Sequence, residues 1–260
     1  MMPLLPPKTL TNFPIGAINN PAIVKQIDAI GLEELYIDVN VLGNLIICFD
    51  AKSDATVVSA GEEHLLPARI ERVDRTLVIE GRNIGTYFRH RQKQKILSEV
   101  HVPIQTKVSA SFTGGVMILN GGEGDVAIQG QFGEVAGITH SKNINIQMRG
   151  GDVSLNELSG NASIHLSIGS ATLGWTELRG TEQINIQCGF GGVDLLFPPH
   201  ITPVAESSGP FKGKKITTLP GTNIHARVGF GGLDLLNWVL RNRMKGNNNL
   251  PFTSKKPVNA

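Results

Sequence analysis

Between Asn143 and Leu196 apolar residues return at so short and regular an interval that few folds remain open to the chain. Ile144, Ile164 and Ile184 stand 20 residues apart; two positions on come Ile146, Leu166 and Ile186, and four on Met148, Ile168 and Cys188. A second group follows nine and eleven positions after each start: Val153, Leu173 and Val193, then Leu155, Trp175 and Leu195. Gly150-Gly151, Gly169-Ser170 and Gly191-Gly192 separate the two groups. Each unit therefore reads as strand, small-residue corner, strand. Alternation at period 2 turns one side of each strand inward, and glycine permits the sharp bend between strands. A unit of this size cannot bury its own apolar face, so it must stack on its neighbours. The expected fold class is all-β, a single-domain β-solenoid with a period of 18 to 20 residues.

The pattern extends in both directions. The inward ladder runs back from Ile144 to Val126 and Val108 at a spacing of 18. It runs forward by 40 from Ile184 to Ile224, and Gly229-Phe230-Gly231-Gly232-Leu233-Asp234-Leu235-Leu236 nearly repeats Gly189 to Leu196. Upstream, alternating stretches at Leu35–Val39, Leu45–Phe49, Ala55–Val58, Ala68–Glu71 and Thr76–Glu80 read as short strands between turn residues. The organisation expected is an N-terminal extension over 1–32 with one short helix at Pro21–Ile27, a β-solenoid domain over 33–240, and a basic disordered tail over 241–260. Asn237 to Lys245 reads as a helical cap on the last coil, and Pro198 to Gly221 as a long loop around one strand. Thirty glycines and 5% aromatics suit a chain of many tight corners.

Short strands such as Thr76-Leu77-Val78-Ile79-Glu80, then Val102-Pro103-Ile104, lead into glycine-cornered coils such as Gly124-Asp125-Val126-Ala127-Ile128 and Gly151-Asp152-Val153-Ser154-Leu155. In this order the sequence resembles the bacterial putative-adhesin β-solenoid family, also called the toastrack fold. The likeness covers about Glu33 to Leu236. The resemblance implies a β-solenoid, in a family with no established general function and no catalytic residues to carry over.

Composition narrows the function classes. A net charge of +2 gives no case for specific nucleic-acid binding. No apolar run reaches the ~18 residues that span a bilayer, and Met1 to Pro7 lacks the charged start and apolar core of a signal peptide. A cytoplasmic placement is expected, with the cell surface as the alternative. Cys48 and Cys188 both fall in apolar strand positions and read as buried thiols, their pairing left open. Two isolated cysteines and seven scattered histidines show no metal-ligand spacing, and no cofactor motif is present.

Two surfaces are candidates for a partner. The outward positions after the repeat isoleucines hold Asn145, His165 and Asn185, a polar line that could meet a glycan or an extended polymer, or simply be a solvated face. Arg89, Arg91 and Lys93 lie in the densest basic stretch, around Tyr87 and Phe88, and could meet an acidic partner. Trp175 is expected in the core. Asp194 and Asp234 hold equivalent repeat positions, but beside glycine corners, where turn formation accounts for them. The expectation is a non-enzymatic scaffold that binds a protein partner or self-associates, with glycan binding as the alternative and a carbohydrate-active enzyme less favoured.

Overall fold

The computed structural model describes residues 21–52, 54–61, 66–81, 97–201, 203–207, 214–218 and 222–237. Among the described residues the protein is all-β, without a helix, and its fourteen strands form one sheet that is not closed into a barrel. In chain order they are β1 Ile23–Asp28, β2 Glu34–Cys48, β3 Asp54–Ala60, β4 Arg69–Val73, β5 Thr76–Glu80, β6 Leu97–His101 and β7 Lys107–Asn120. They continue with β8 Val126–Ile138, β9 Asn143–Leu158, β10 Asn161–Trp175, β11 Gln183–Phe197, β12 Pro203–Ser207, β13 Lys214–Thr218 and β14 Asn223–Asn237.

The central path runs β2-β7-β8-β9-β10-β11-β14, with every pairing parallel. Each of these strands is long because it passes through its glycine corner without leaving the ladder. Both halves then turn an apolar side to the same core. Ile144, Ile146 and Met148 before the corner of β9 pack in one cluster with Val153, Leu155 and Leu158 after it. Trp175 is fully buried and stacks on Phe197, ring centroids 6.1 Å apart. At the N-terminal end β2 meets β5 through its first half and β6 through its second, and β3 and β1 extend the sheet antiparallel.

The corner itself explains why glycine is fixed there. Gly133, Gly151, Gly169, Gly191 and Gly231 stand in one row, all at positive φ between 120° and 147°. A Cβ on any of them would press into the carbonyl oxygen of the glycine one layer below, far inside the 3.0 Å that real Cβ atoms respect. The corner is closed to every residue with a side chain.

Register departs from the simple 20-residue spacing. Val108, Val126, Ile144 and Ala162 are partners at steps of 18, then Ala162 pairs with Ile184 at a step of 22, and Ile184 with Ile224 at 40. One short step and the long one, 18 and 22, sum to the same distance as two steps of 20. A shift of two residues leaves every side chain on its own face, so alternation alone cannot separate 18 from 20 or 22. The extra length of the 22-residue step lies between Trp175 and Gln183. Glu182 anchors it, its carboxylate accepting from the Arg179 amide (2.7 Å), the Gly180 amide (3.0 Å) and the Thr222 hydroxyl (2.8 Å). Burial pushes this carboxyl up, but the donated hydrogen bonds outweigh it and hold Glu182 below the ordinary glutamate value.

Two local expectations are corrected. Pro21–Ile27 does not form a helix: Ile23–Asp28 is β1, paired along its whole length with β3, so the extension joins the sheet before residue 33. Ile23 and Ile27, four apart, fit either period, and the open edge of β3 decides for strand. The segment between Pro198 and Gly221 contains two strands, β12 and β13, whose hairpin adds antiparallel to the first half of β14. The expected cap after Asn237, the tail over 241–260 and the basic stretch with Arg89, Arg91 and Lys93 lie outside the described residues.

Candidate functional site

The outward side chains of the first half-strands form an ordered polar face. One row is Ser109, Ala127, Asn145, Ser163, Asn185 and His225; the next, two residues along each strand, is Ser111, Gln129, Gln147, His165, Gln187 and Arg227. Neighbours within a row are separated by the strand spacing of about 4.8 Å. Asn145, Asn185, Gln129, Gln147 and His165 are exposed, and Gln187 is half-buried. The two rows are rich in amides in the middle, with Arg227 at one end and Asp38 of β2 beside Ser111 at the other.

Of the sequence candidates, Asn145 and Asn185 fall in one row, with Ser163 between them. His165 stands in the adjacent row between Gln147 and Gln187, because the first step is 18 residues and not 20. The glutamines of this second row escaped the sequence reading for the same reason. A third row nearer the strand starts is internally spent: Asn161 donates to Asn143 and Asn143 to Asp125, each at 2.9 Å, and the Gln183 amide donates to Asn161 at 2.8 Å. That ladder ties neighbouring strands together.

A second regular feature runs beside the corner. Phe132, Ile168, Phe190 and Phe230 are each more than half exposed and lie in the same row as Gly150. The Phe190 and Phe230 rings stack at 4.9 Å and 8°, and the Phe132 ring covers the place a Cβ on Gly150 would take. The result is an apolar ridge along the stacking direction.

The third feature is chemical. Where β2, β6 and β7 meet, Cys48 pairs with His101 on one side and with Asn120 on the other, and Glu99 lies two residues before His101 on the same side of β6. One ligand atom from each of Cys48, Glu99 and His101 lies within 4.8 Å of the others. The His101 Nε2 to Glu99 Oε1 distance is 3.0 Å, and the Cys48 thiol donates to the same oxygen at 3.9 Å. His101 Nδ1 is 2.7 Å from Asp50 Oδ1, and Asn120 Nδ2 donates to Cys48 Sγ at 3.9 Å. Cys48 and Glu99 are buried, and Ile46, Ile118, Leu97 and Val116 form a small apolar cluster around the thiol. Burial pushes the Cys48 thiol up to about 11; the Asn120 amide opposes this, while the charges of Glu99 and Asp50 add to it. The sequence reading found no ligand spacing here, because the thiol comes from a strand 51 residues before Glu99. Glu99-x-His101, which puts two ligand types on one side of a strand, was the available signal. Cys188 is also a free, buried thiol.

No family model matches the chain, and no curated protein matches it. Among solved structures it is similar to a putative cell adhesion protein from Clostridium sporogenes ATCC 15579, at 13% identity and a TM-score of 0.43, over 83% of this chain and 98% of that one. It is also similar to a putative adhesin from Parabacteroides distasonis ATCC 8503, at 13% identity and a TM-score of 0.22, over 82% and 96%. Among the described residues no helix is long and apolar enough to cross a membrane.

Proposed function

We propose that this chain is a β-solenoid of the toastrack kind, acting as a non-enzymatic interaction module that holds an extended partner against its amide-rich face. The observation that carries the reading is the register: Gln129, Gln147, His165 and Gln187 stand side by side on four neighbouring strands. Such a row offers alternating donors and acceptors at a fixed interval, which suits a partner that also repeats. The corner ridge gives the same scaffold an apolar contact for a protein or a second copy. A glycan is the second reading, favoured by the amide and hydroxyl chemistry in the middle of the face.

Catalysis finds less support. Asp194 and Asp234 are direct neighbours in one row, so both would reach a substrate from the same side. Glycoside hydrolysis needs carboxyls that flank the scissile bond.

The test is a triple variant, Gln147→Ala with His165→Ala and Gln187→Ala. It should leave stability within about 1.5 kcal/mol of the wild type, at about 0.5 kcal/mol for each surface position. Solution mass by light scattering and binding to a panel of soluble polysaccharides are then compared with the wild type. Loss of an oligomer assigns self-association, and loss of polysaccharide binding assigns a glycan. If the wild type is a monomer that binds no polysaccharide, and the variant captures the same proteins as the wild type, the face is only solvated and the reading fails.

A further inference from the structure

We propose that Cys48, Glu99 and His101 form a mononuclear zinc site, with Asp50 orienting the histidine and a water molecule completing the coordination. The donor set is one that zinc takes: thiolate, carboxylate and imidazole, three protein ligands with one position open. The geometry is close to ready. Tetrahedral zinc with bonds of about 2.0 to 2.3 Å places its ligand atoms roughly 3.3 to 3.8 Å from one another. The observed separations of 3.0 Å for His101 to Glu99 and 3.9 Å for Cys48 to Glu99 bracket that range, and the third lies within 4.8 Å.

Charge and hydrogen bonding point the same way. His101 has a carboxylate at each ring nitrogen, Asp50 at Nδ1 and Glu99 at Nε2. With Nδ1–H donated to Asp50, the Nε2 lone pair faces Glu99 Oε1, and a cation between them removes the repulsion. Asp50–His101–metal is the carboxylate–histidine–zinc arrangement that fixes tautomer and ring angle. Zn(II) with the Cys48 thiolate and the Glu99 carboxylate sums to zero charge, which suits two ligands buried at 1% and 4% exposure. Binding releases the Cys48 thiol proton to solvent, and with it any proton held at His101 Nε2. His101, the least buried of the three, leaves the open position toward solvent.

The inference is independent of the amide face and is tested on the full, untagged chain. Co(II) is titrated first, then displaced with Zn(II), while the absorption spectrum is followed. One equivalent of Co(II) should give a near-ultraviolet thiolate-to-metal band with tetrahedral visible bands, all bleached by one equivalent of Zn(II). Cys48→Ser should abolish the thiolate band and weaken binding more than about 100-fold, whereas Asp50→Asn should keep the band and weaken binding about 10- to 100-fold, as loss of an orienting carboxylate does. Cys188→Ser should change nothing. His101→Gln, at a half-buried position, supplies a ligand deletion that folds if Cys48→Ser does not, and it should also remove the bands. Absence of a thiolate band in the wild type, or its survival in Cys48→Ser or His101→Gln, overturns the proposal.

Discussion

Replacing Gly191 with alanine should destabilise the protein severely, while the same change one residue later should not. Gly191 sits at φ 141° with its missing Cβ aimed at the carbonyl oxygen of Gly169 in the layer below. Holding an alanine in such a conformation costs about 1 to 3 kcal/mol. The clash adds to that, because the layers must part by more than an ångström to bring the new Cβ out to 3.0 Å. Parting them stretches the parallel ladder on both sides of β11. The expected total is at least about 4 kcal/mol, in the range reserved for a broken structural rule. Gly192 has no positive φ, and its Cβ would meet nothing nearer than Gly232 O at 4.0 Å. Gly192→Ala should therefore fall within about 1 kcal/mol of the wild type, with a gain of up to that size from the stiffer unfolded chain. Urea unfolding followed by circular dichroism gives both midpoints. A loss below about 1 kcal/mol for Gly191→Ala, or equal losses for the two variants, would refute the layered corner.

Other predictions follow from the core and the anchor. Trp175→Ala removes a fully buried ring stacked on Phe197 and should cost about 3 to 5 kcal/mol in the same assay. Because the Glu182 carboxyl is held below its ordinary value when folded, its contribution is complete above the unfolded pKa of about 4.3 and is lost as pH falls through the folded value. Glu182→Gln should cost about 1 to 3 kcal/mol at pH 7, and the gap to the wild type should close toward pH 3; a gap independent of pH contradicts the assignment. Asn143→Ala and Asn161→Ala each break the inter-strand amide ladder and should lower stability by about 1 kcal/mol, whereas Asn145→Ala, in the exposed row, should lower it by less than about 0.5 kcal/mol.

Much of this fold can be read from residues, because alternation specifies which side of a strand is buried. Ile144, Ile146, Met148, Val153 and Leu155 are all inside, as is Trp175. The corners are equally legible, since only glycine meets their backbone and spacing. Register is different. Steps of 18, 20 and 22 keep the same side chains inside, so His165 aligned with Asn145 on paper stands beside Gln147 in space. The bulge in β9 adds to the ambiguity, with Leu173 opposite Leu155 but Trp175 opposite Leu158. The cluster at Cys48 is legible only in part, through Glu99-x-His101. Its atoms come from β2 and β6, and the pairing of those strands depends on how the N-terminal strands add to the sheet. Helix against strand at Ile23–Asp28 was decided by the open edge of β3, a tertiary fact that no local period carries.

The polar face depends above all on which side chains are neighbours across the parallel strands, and disulfide trapping measures that directly. In a background carrying Cys48→Ala and Cys188→Ala, Ser163→Cys with Asn185→Cys makes one pair, and His165→Cys with Asn185→Cys the other. Ser163 and Asn185 are ladder partners, so their Cα atoms lie about 4.8 Å apart, inside the disulfide range of about 4.4 to 6.8 Å. His165 is two residues further along the strand, which puts it about 8 Å from Asn185 and beyond reach without backbone movement. Rapid, complete oxidation of the first pair and none of the second is the predicted result. Oxidation of the His165 pair in preference would mean a uniform 20-residue step between strands, and would contradict the register on which the polar face depends.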